Sequence, residues 1–136
     1  ETDILVRSDR AGIPGLLDKY NAATGEYALT RCTNAPNKGC WPDDALRAAA
    51  FLICLEETCT TKVEGMYIEY IPSGIVRYYK PTPKDRRMVL QLIHKVRDID
   101  KGGFPKKPLS PPCSGCSFLE QCQQNKPQRL SFFFKK

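Results

Sequence analysis

The chain has 136 residues, enough for one domain around a single hydrophobic core. Its 21 lysines and arginines outnumber its 15 aspartates and glutamates, for a formal net charge of +6. No apolar run reaches the roughly 18–20 residues of a membrane-spanning helix, so direct membrane insertion is not expected.

The charge is unevenly placed. Residues 1–79 carry 8 basic and 11 acidic side chains, a net of −3, whereas residues 80–136 carry 13 and 4, a net of +9. A merely solvated surface usually mixes its signs, so a basic half points to a polyanionic partner. No signal-peptide pattern opens the chain, and a start at Glu1 rather than Met is expected of a processed protein or a fragment. The seven cysteines are an odd number, which leaves at least one unpaired or bound to a metal or another chain. Such richness accompanies secretion, metal sites, or a hyperthermophilic host.

In chain order, "DILVR" (3–7) reads as a short strand. "GIPGLLDKYNAATGEYALTRC" (12–32) follows as a strand pair, the first strand ending at Asp18 and the turn placed around Gly25. The second, "YALTRCTN" (27–34), puts Tyr27, Leu29 and Arg31 on one face. A loop, "APNKGCWP" (35–42), precedes a helix that Asp43 or Asp44 is expected to cap, with Leu46, Ala49, Ala50 and Ile53 toward the core. Residues 63–81 form a second strand pair about Pro72-Ser73-Gly74. The second helix has Thr82 as N-cap, Pro83 at its first position and Gly102 past its end. Val89, Leu92, Ile93, Val96 and Ile99 make its apolar stripe, and Lys84, Arg87, Gln91 and Lys95 share another face, with Arg86, Arg97 and Lys101 nearby. Lys106 and Lys107 lie in a proline-rich connector, "CSGCSFLEQC" (113–122) follows, and "RLSFFFKK" (129–136) is basic and aromatic. The order β-β-β-α-β-β-α predicts an α/β domain with a mixed sheet over residues 1–112 and a cysteine knuckle with a tail over 113–136.

Three stretches in this order resemble a family pattern: "GIPGLLD"; the helix "WPDDALRAAAFLICLEE"; and a Gly-led hairpin and Thr-Pro helix followed by C-x2-C-x5-C. The set is similar to the RecB-like nucleases of CRISPR adaptation, the "Cas-four" branch of the PD-(D/E)xK fold, over most of residues 11–122. The resemblance implies metal-assisted phosphodiester hydrolysis, with an Asp on one strand and a Glu-x-Lys pair on the next. Asp18 matches the metal-binding Asp. The Glu-x-Lys positions fall on Leu29 and Arg31, or on Thr30 and Cys32, and neither register supplies a carboxylate. A supporting Gln and aromatic fall on Arg47 and Phe51. Asp18 is therefore expected to be a vestige with no catalytic role, and Arg31 and Arg47 to attract phosphate. Cys113, Cys116 and Cys122 match three ligands of the family's iron–sulfur cluster; the family's fourth lies upstream of the first strand and is not matched, which leaves Cys32, Cys40 or His94 as substitutes. No cofactor is expected; a cluster or zinc on these three is the alternative to disulfides or thiols.

A scaffold that keeps a basic surface but loses its catalytic acid resembles the nucleocapsid proteins of the filamentous Thermoproteus tenax virus lineage, which look like shortened, inactivated members of that nuclease family. The implied function is a viral nucleoprotein that coats linear double-stranded DNA in a helical array of its own copies. Its place is the virion, after assembly in the host cytoplasm. Phosphate contacts are assigned to Arg31, Arg47, Lys84, Arg86, Arg87, Lys95, Arg97, Lys101, Lys106, Lys107, Lys135 and Lys136. Subunit contacts are assigned to Phe132, Phe133 and Phe134. The alternatives are an adaptation nuclease, or a fragment of one, with a C-terminal iron–sulfur cluster, and a non-catalytic adaptation subunit that binds an integrase.

Overall fold

A computed structural model describes residues 1–59, 62–103, 105 and 110–124, with side chains through 121. The chain divides into two compact units, Glu1–Gly103 and Phe104–Lys136. The first contains β1 (Thr2–Ser8), β2 (Ile13–Asn21), β3 (Glu26–Arg31), α1 (Pro42–Thr58), β4 (Met66–Tyr70), β5 (Ile75–Tyr79) and α2 (Pro83–Asp100). Its sheet runs β1-β2-β3-β4-β5. All neighbours are antiparallel except β3 and β4, which are parallel and joined through α1. This is the expected mixed α/β sheet. A parallel pair cannot be closed by a tight turn, so the helix between the strands is what permits it.

Alternation along the strands sends one face under α1. Val6, Leu17, Leu29, Met66, Ile68 and Tyr70 are buried there against Ala48, Leu52 and Leu55. Gly15 is required at this contact: a Cβ there would lie 2.7 Å from the ring of Phe51. Ala49, Ile53 and Val89 form a second apolar cluster, flanked by Leu46, Ala50 and Ile93, that joins α2 to α1. The expected face of α1 is the one turned to α2, with Ala49 and Ile53 buried but Leu46 and Ala50 only half-buried; the face that packs on the sheet, Ala48, Phe51, Leu52 and Leu55, is a different one.

Boundaries differ from expectation in three places. The strand expected to end at Asp18 runs to Asn21, because Lys19, Tyr20 and Asn21 pair with Ala28, Tyr27 and Glu26. The turn follows, held by the Ala23 N–H donating to Asn21 Oδ1 at 3.0 Å. β3 stops at Arg31 rather than 34, and the chain leaves the sheet with the Ala35 N–H donating to Ser73 Oγ at 3.0 Å. Neither Asp43 nor Asp44 caps α1. Pro42 opens the helix, Trp41 occupies the cap position without a side-chain bond, and both aspartates lie in the first turn.

For α2 the local signals hold. Thr82 accepts from the Asp85 N–H while the Thr82 N–H donates to the Asp85 carboxylate, a reciprocal cap. Gly102 follows the helix with φ +91°, a conformation that costs glycine no steric penalty. Of the predicted apolar stripe, Val89 is buried and Ile93 is half-buried, but Leu92, Val96 and Ile99 are exposed. The second unit contains one short helix among its described residues, α3 (Leu119–Gln124), preceded by a single turn at Cys113–Gly115.

Candidate functional site

The residues expected from the sequence to mark a nuclease-like centre lie where β2 and β3 part. Leu17 is wholly buried toward α1, yet Lys19, two residues on, reaches Glu69 at 2.5 Å on the opposite face. Residues two apart on a regular strand share a face, so β2 is irregular at Asp18. The ladder between β2 and β3 stops at Lys19↔Ala28, and Asp18 Oδ2 accepts the Thr30 N–H at 2.7 Å, standing in for a strand bond. Asp18 thus has a structural task at the irregularity.

The two residues nearest the missing Glu-x-Lys pair on the α1 side are also engaged. Leu29 is 1% exposed and belongs to the core. Arg31 Nε lies 2.5 Å from Oδ1 of Asp44, whose side chain is 4% exposed. The Nε–H makes no hydrogen bond, so the contact is an ion pair rather than an aligned donor and acceptor. Thr30 Oγ1 and Arg77 Nε are also buried without a hydrogen-bond partner among the described residues. Beside the pair, Tyr70 Oη accepts the Trp41 N–H at 3.2 Å. Burial, with the Asp44 charge adding to it, pushes the Tyr70 hydroxyl up to about 12. A cleft of about 400 Å³ opens here, lined by Arg31, Asn34, Trp41, Asp43 and Asp44. Arg31's charge is offset by Asp44, and Asp43 adds a further negative group. Arg31, expected to hold a phosphate, is thus engaged with Asp44, and a guanidinium already paired with a carboxylate attracts a second anion less strongly than a free one. Asp44 carried no functional signal in the sequence, because its partner lies 13 positions away on a different element.

Arg47 is exposed on α1 but does not line this cleft. It borders a separate apolar groove of about 560 Å³ between α1, α2 and the start of β2, lined by Leu46, Ala50, Val89, Leu92 and Val96. The Leu-Glu-Glu end of α1 is used for anchoring. Glu56 binds Arg86 through both guanidinium nitrogens, and the Arg86 hydrogen bond holds its carboxyl below the usual range. Glu57 accepts from Ser8 Oγ at 2.5 Å and from the Asp9 N–H at 3.0 Å.

The basic residues of α2 therefore divide. Arg86 is tied to Glu56, and Arg97 donates to the Ala11 carbonyl beneath Gly12, so both make internal contacts. Lys84, Arg87, Lys95 and Lys101 are exposed and form no ion pair among the described residues. Successive residues are about 100° apart around a helix, so Lys84, Arg87, Gln91 and Lys95 share its outer face. Lys106, Lys107, Lys135, Lys136, Phe132, Phe133, Phe134 and the Cys122 side chain lie outside the described residues. Cys113 is half-buried, Cys116 is exposed, and neither forms a disulfide among those residues. No group of three or more metal-ligating side chains occurs among them either.

No family model matches the chain. It is similar to an uncharacterized protein of Archaeoglobus fulgidus, 27% identical over 124 residues, which cover 90% of this chain and 56% of that relative. The chain thus spans little more than half the relative's length.

Proposed function

We propose that this protein is a non-enzymatic nucleoprotein that coats double-stranded DNA, a viral nucleocapsid protein built on a nuclease-derived scaffold. The observation that carries the reading is the outer face of α2, where Lys84, Arg87 and Lys95 stand exposed with no ion pair among the described residues, followed by Lys101 at the helix end. Three cations on one face of a helix neutralise backbone phosphates without reading bases. The vestigial centre supports the same reading. Its aspartate holds a broken strand pair, its β3 carboxylate position is core or backbone-bound, and its arginine is already paired. A hard divalent cation needs several oxygen ligands, which this arrangement does not converge.

The test is titration of the protein onto long duplex DNA, followed by electron microscopy and by affinity measurements across salt. A coat protein forms regular filaments, shows little sequence preference, and loses affinity steeply as salt rises. Mn²⁺-dependent cleavage that Asp18→Ala abolishes would overturn the reading in favour of a nuclease. Failure to bind duplex DNA alone would favour an adaptation subunit.

A further inference from the structure

The cleft at the start of α1 holds groups that a phosphate does not need. Trp41 is 47% exposed in it, and its ring is pinned. The indole N–H donates to the Asn34 carbonyl at 2.8 Å, and the Trp41 backbone N–H donates to Tyr70 Oη at 3.2 Å. An exposed aromatic already fixed at ring and backbone loses little rotamer freedom when a flat partner stacks on it. Asp43 is exposed in the same cleft and forms no ion pair among the described residues. Arg31 meets Asp44 through Nε, and a guanidinium fork has further N–H donors besides that one.

Charge argues against both kinds of simple ion. An anion meets two carboxylates, Asp43 and Asp44, for one guanidinium. A cation meets Arg31 and the positive end of the α1 dipole. The set suits a neutral, flat ligand with donors and acceptors around its edge, which describes a nucleobase out of its stack. A guanidinium fork donates to the O6 and N7 acceptors of guanine, and a carboxylate accepts from an exocyclic amine. An aromatic side chain supplies the stacking contact. The cleft volume of about 400 Å³ falls within the roughly 300–1,000 Å³ of small-ligand sites. We propose that this cleft binds one unpaired nucleobase, guanine before the others, with Trp41 stacked on the ring, Arg31 donating to O6 and N7, and Asp43 accepting from the N2 amine. The inference goes beyond the DNA-coating reading, which places duplex phosphates on α2. The base comes from an unpaired strand end or a free nucleotide, because a base inside a duplex keeps its ring faces in the stack.

Trp41 is the only tryptophan, so its fluorescence reads the stacking directly. Wild type and Asp43→Ala are titrated with dGMP, dAMP, dCMP and dTMP, with a short guanine-containing single strand, and with deoxyribose 5-phosphate as the base-free probe. Trp41→Leu is titrated with the same probes by calorimetry. The expected result is saturable quenching by the nucleotides, tightest for dGMP, and none by deoxyribose 5-phosphate. Asp43→Ala should weaken dGMP at least about fivefold and remove its lead over the other bases. Trp41→Leu should weaken every base by about fivefold or more. Given that pattern, tighter binding of the single strand than of dGMP identifies a strand end as the source, and the reverse a free nucleotide. Quenching by deoxyribose 5-phosphate, or tighter dGMP binding in Asp43→Ala, makes the phosphate the ligand and overturns the inference. Absence of saturable quenching by every nucleotide and by the single strand overturns it as well. Duplex affinity is measured alongside. Wild type that binds duplex but no unpaired base leaves the DNA-coating reading standing without this site; binding of unpaired bases without duplex affinity leaves the site standing and overturns the coating reading.

Discussion

Leu29→Glu would return a carboxylate to β3 at one of the two positions where the resembling nucleases hold their metal. The structure sets the cost. Leu29 is 1% exposed beneath α1, among Leu17, Leu52 and Ile68. Losing its burial costs about 1.5–3 kcal/mol. A glutamate there has no cation beside it, because Arg31 is turned to Asp44. To remain buried at pH 7 it must stay protonated, which means raising its pKa from about 4.3 to above 7, worth roughly 3.5 kcal/mol or more. Together these give about 5–6 kcal/mol, comparable with the whole stability of many small domains. The expected outcome is a protein largely unfolded or near its midpoint without denaturant, and inactive with Mn²⁺. Urea titration followed by the fluorescence of Trp41, the only tryptophan, reads the stability, and a plasmid-nicking assay reads the activity. A variant with the wild-type urea midpoint, or one that cuts DNA in a manner Asp18→Ala abolishes, would refute the reasoning.

Asp18→Ala removes the acceptor of the Thr30 N–H and should cost about 1–2 kcal/mol in urea denaturation while leaving duplex affinity unchanged. Arg87→Ala should lower the magnitude of the logarithmic salt slope of DNA binding by about 0.9, whereas Arg86→Ala should leave it unchanged and lower stability instead, because its partner is Glu56. Stability should also fall in acid. Glu56 is held below its ordinary value of 4.5 by Arg86, and Asp85 below 3.8 by the Thr82 N–H. Each contributes fully above its ordinary value and loses that contribution as pH falls through its lower folded value. Urea midpoints should therefore drop between about pH 5 and pH 3, less steeply in Glu56→Gln.

Much of this architecture is legible in the residues. The α2 boundaries depend on Thr82, Pro83 and Gly102, whose effects reach no further than one helical turn. The alternation on β3 correctly groups Tyr27, Leu29 and Arg31 on one face, which only the structure shows to lie under α1. The expected cap at Asp43 or Asp44 is wrong because Pro42 already opens the helix. The row of cations on α2 is visible as a row, but not which members are available. Lys84 and Arg86 look alike in sequence, and only the 30-residue reach from Arg86 to Glu56 separates them.

By itself, then, the sequence determined the elements, the mixed α/β class, the lack of any carboxylate over residues 27–34 and the basic character of the C-terminal half. Those are properties of residue type and local spacing. The tertiary structure alone decided that Asp18 mends a broken strand pair, that Arg31 and Asp44 neutralise each other, and that three of the five residues of α2's apolar stripe stay exposed. The reason is physical. A hydrogen bond or ion pair depends on distances of a few ångströms across strands and helices. Those distances exist only once the α1 crossover has laid its N-terminus beside the end of β3.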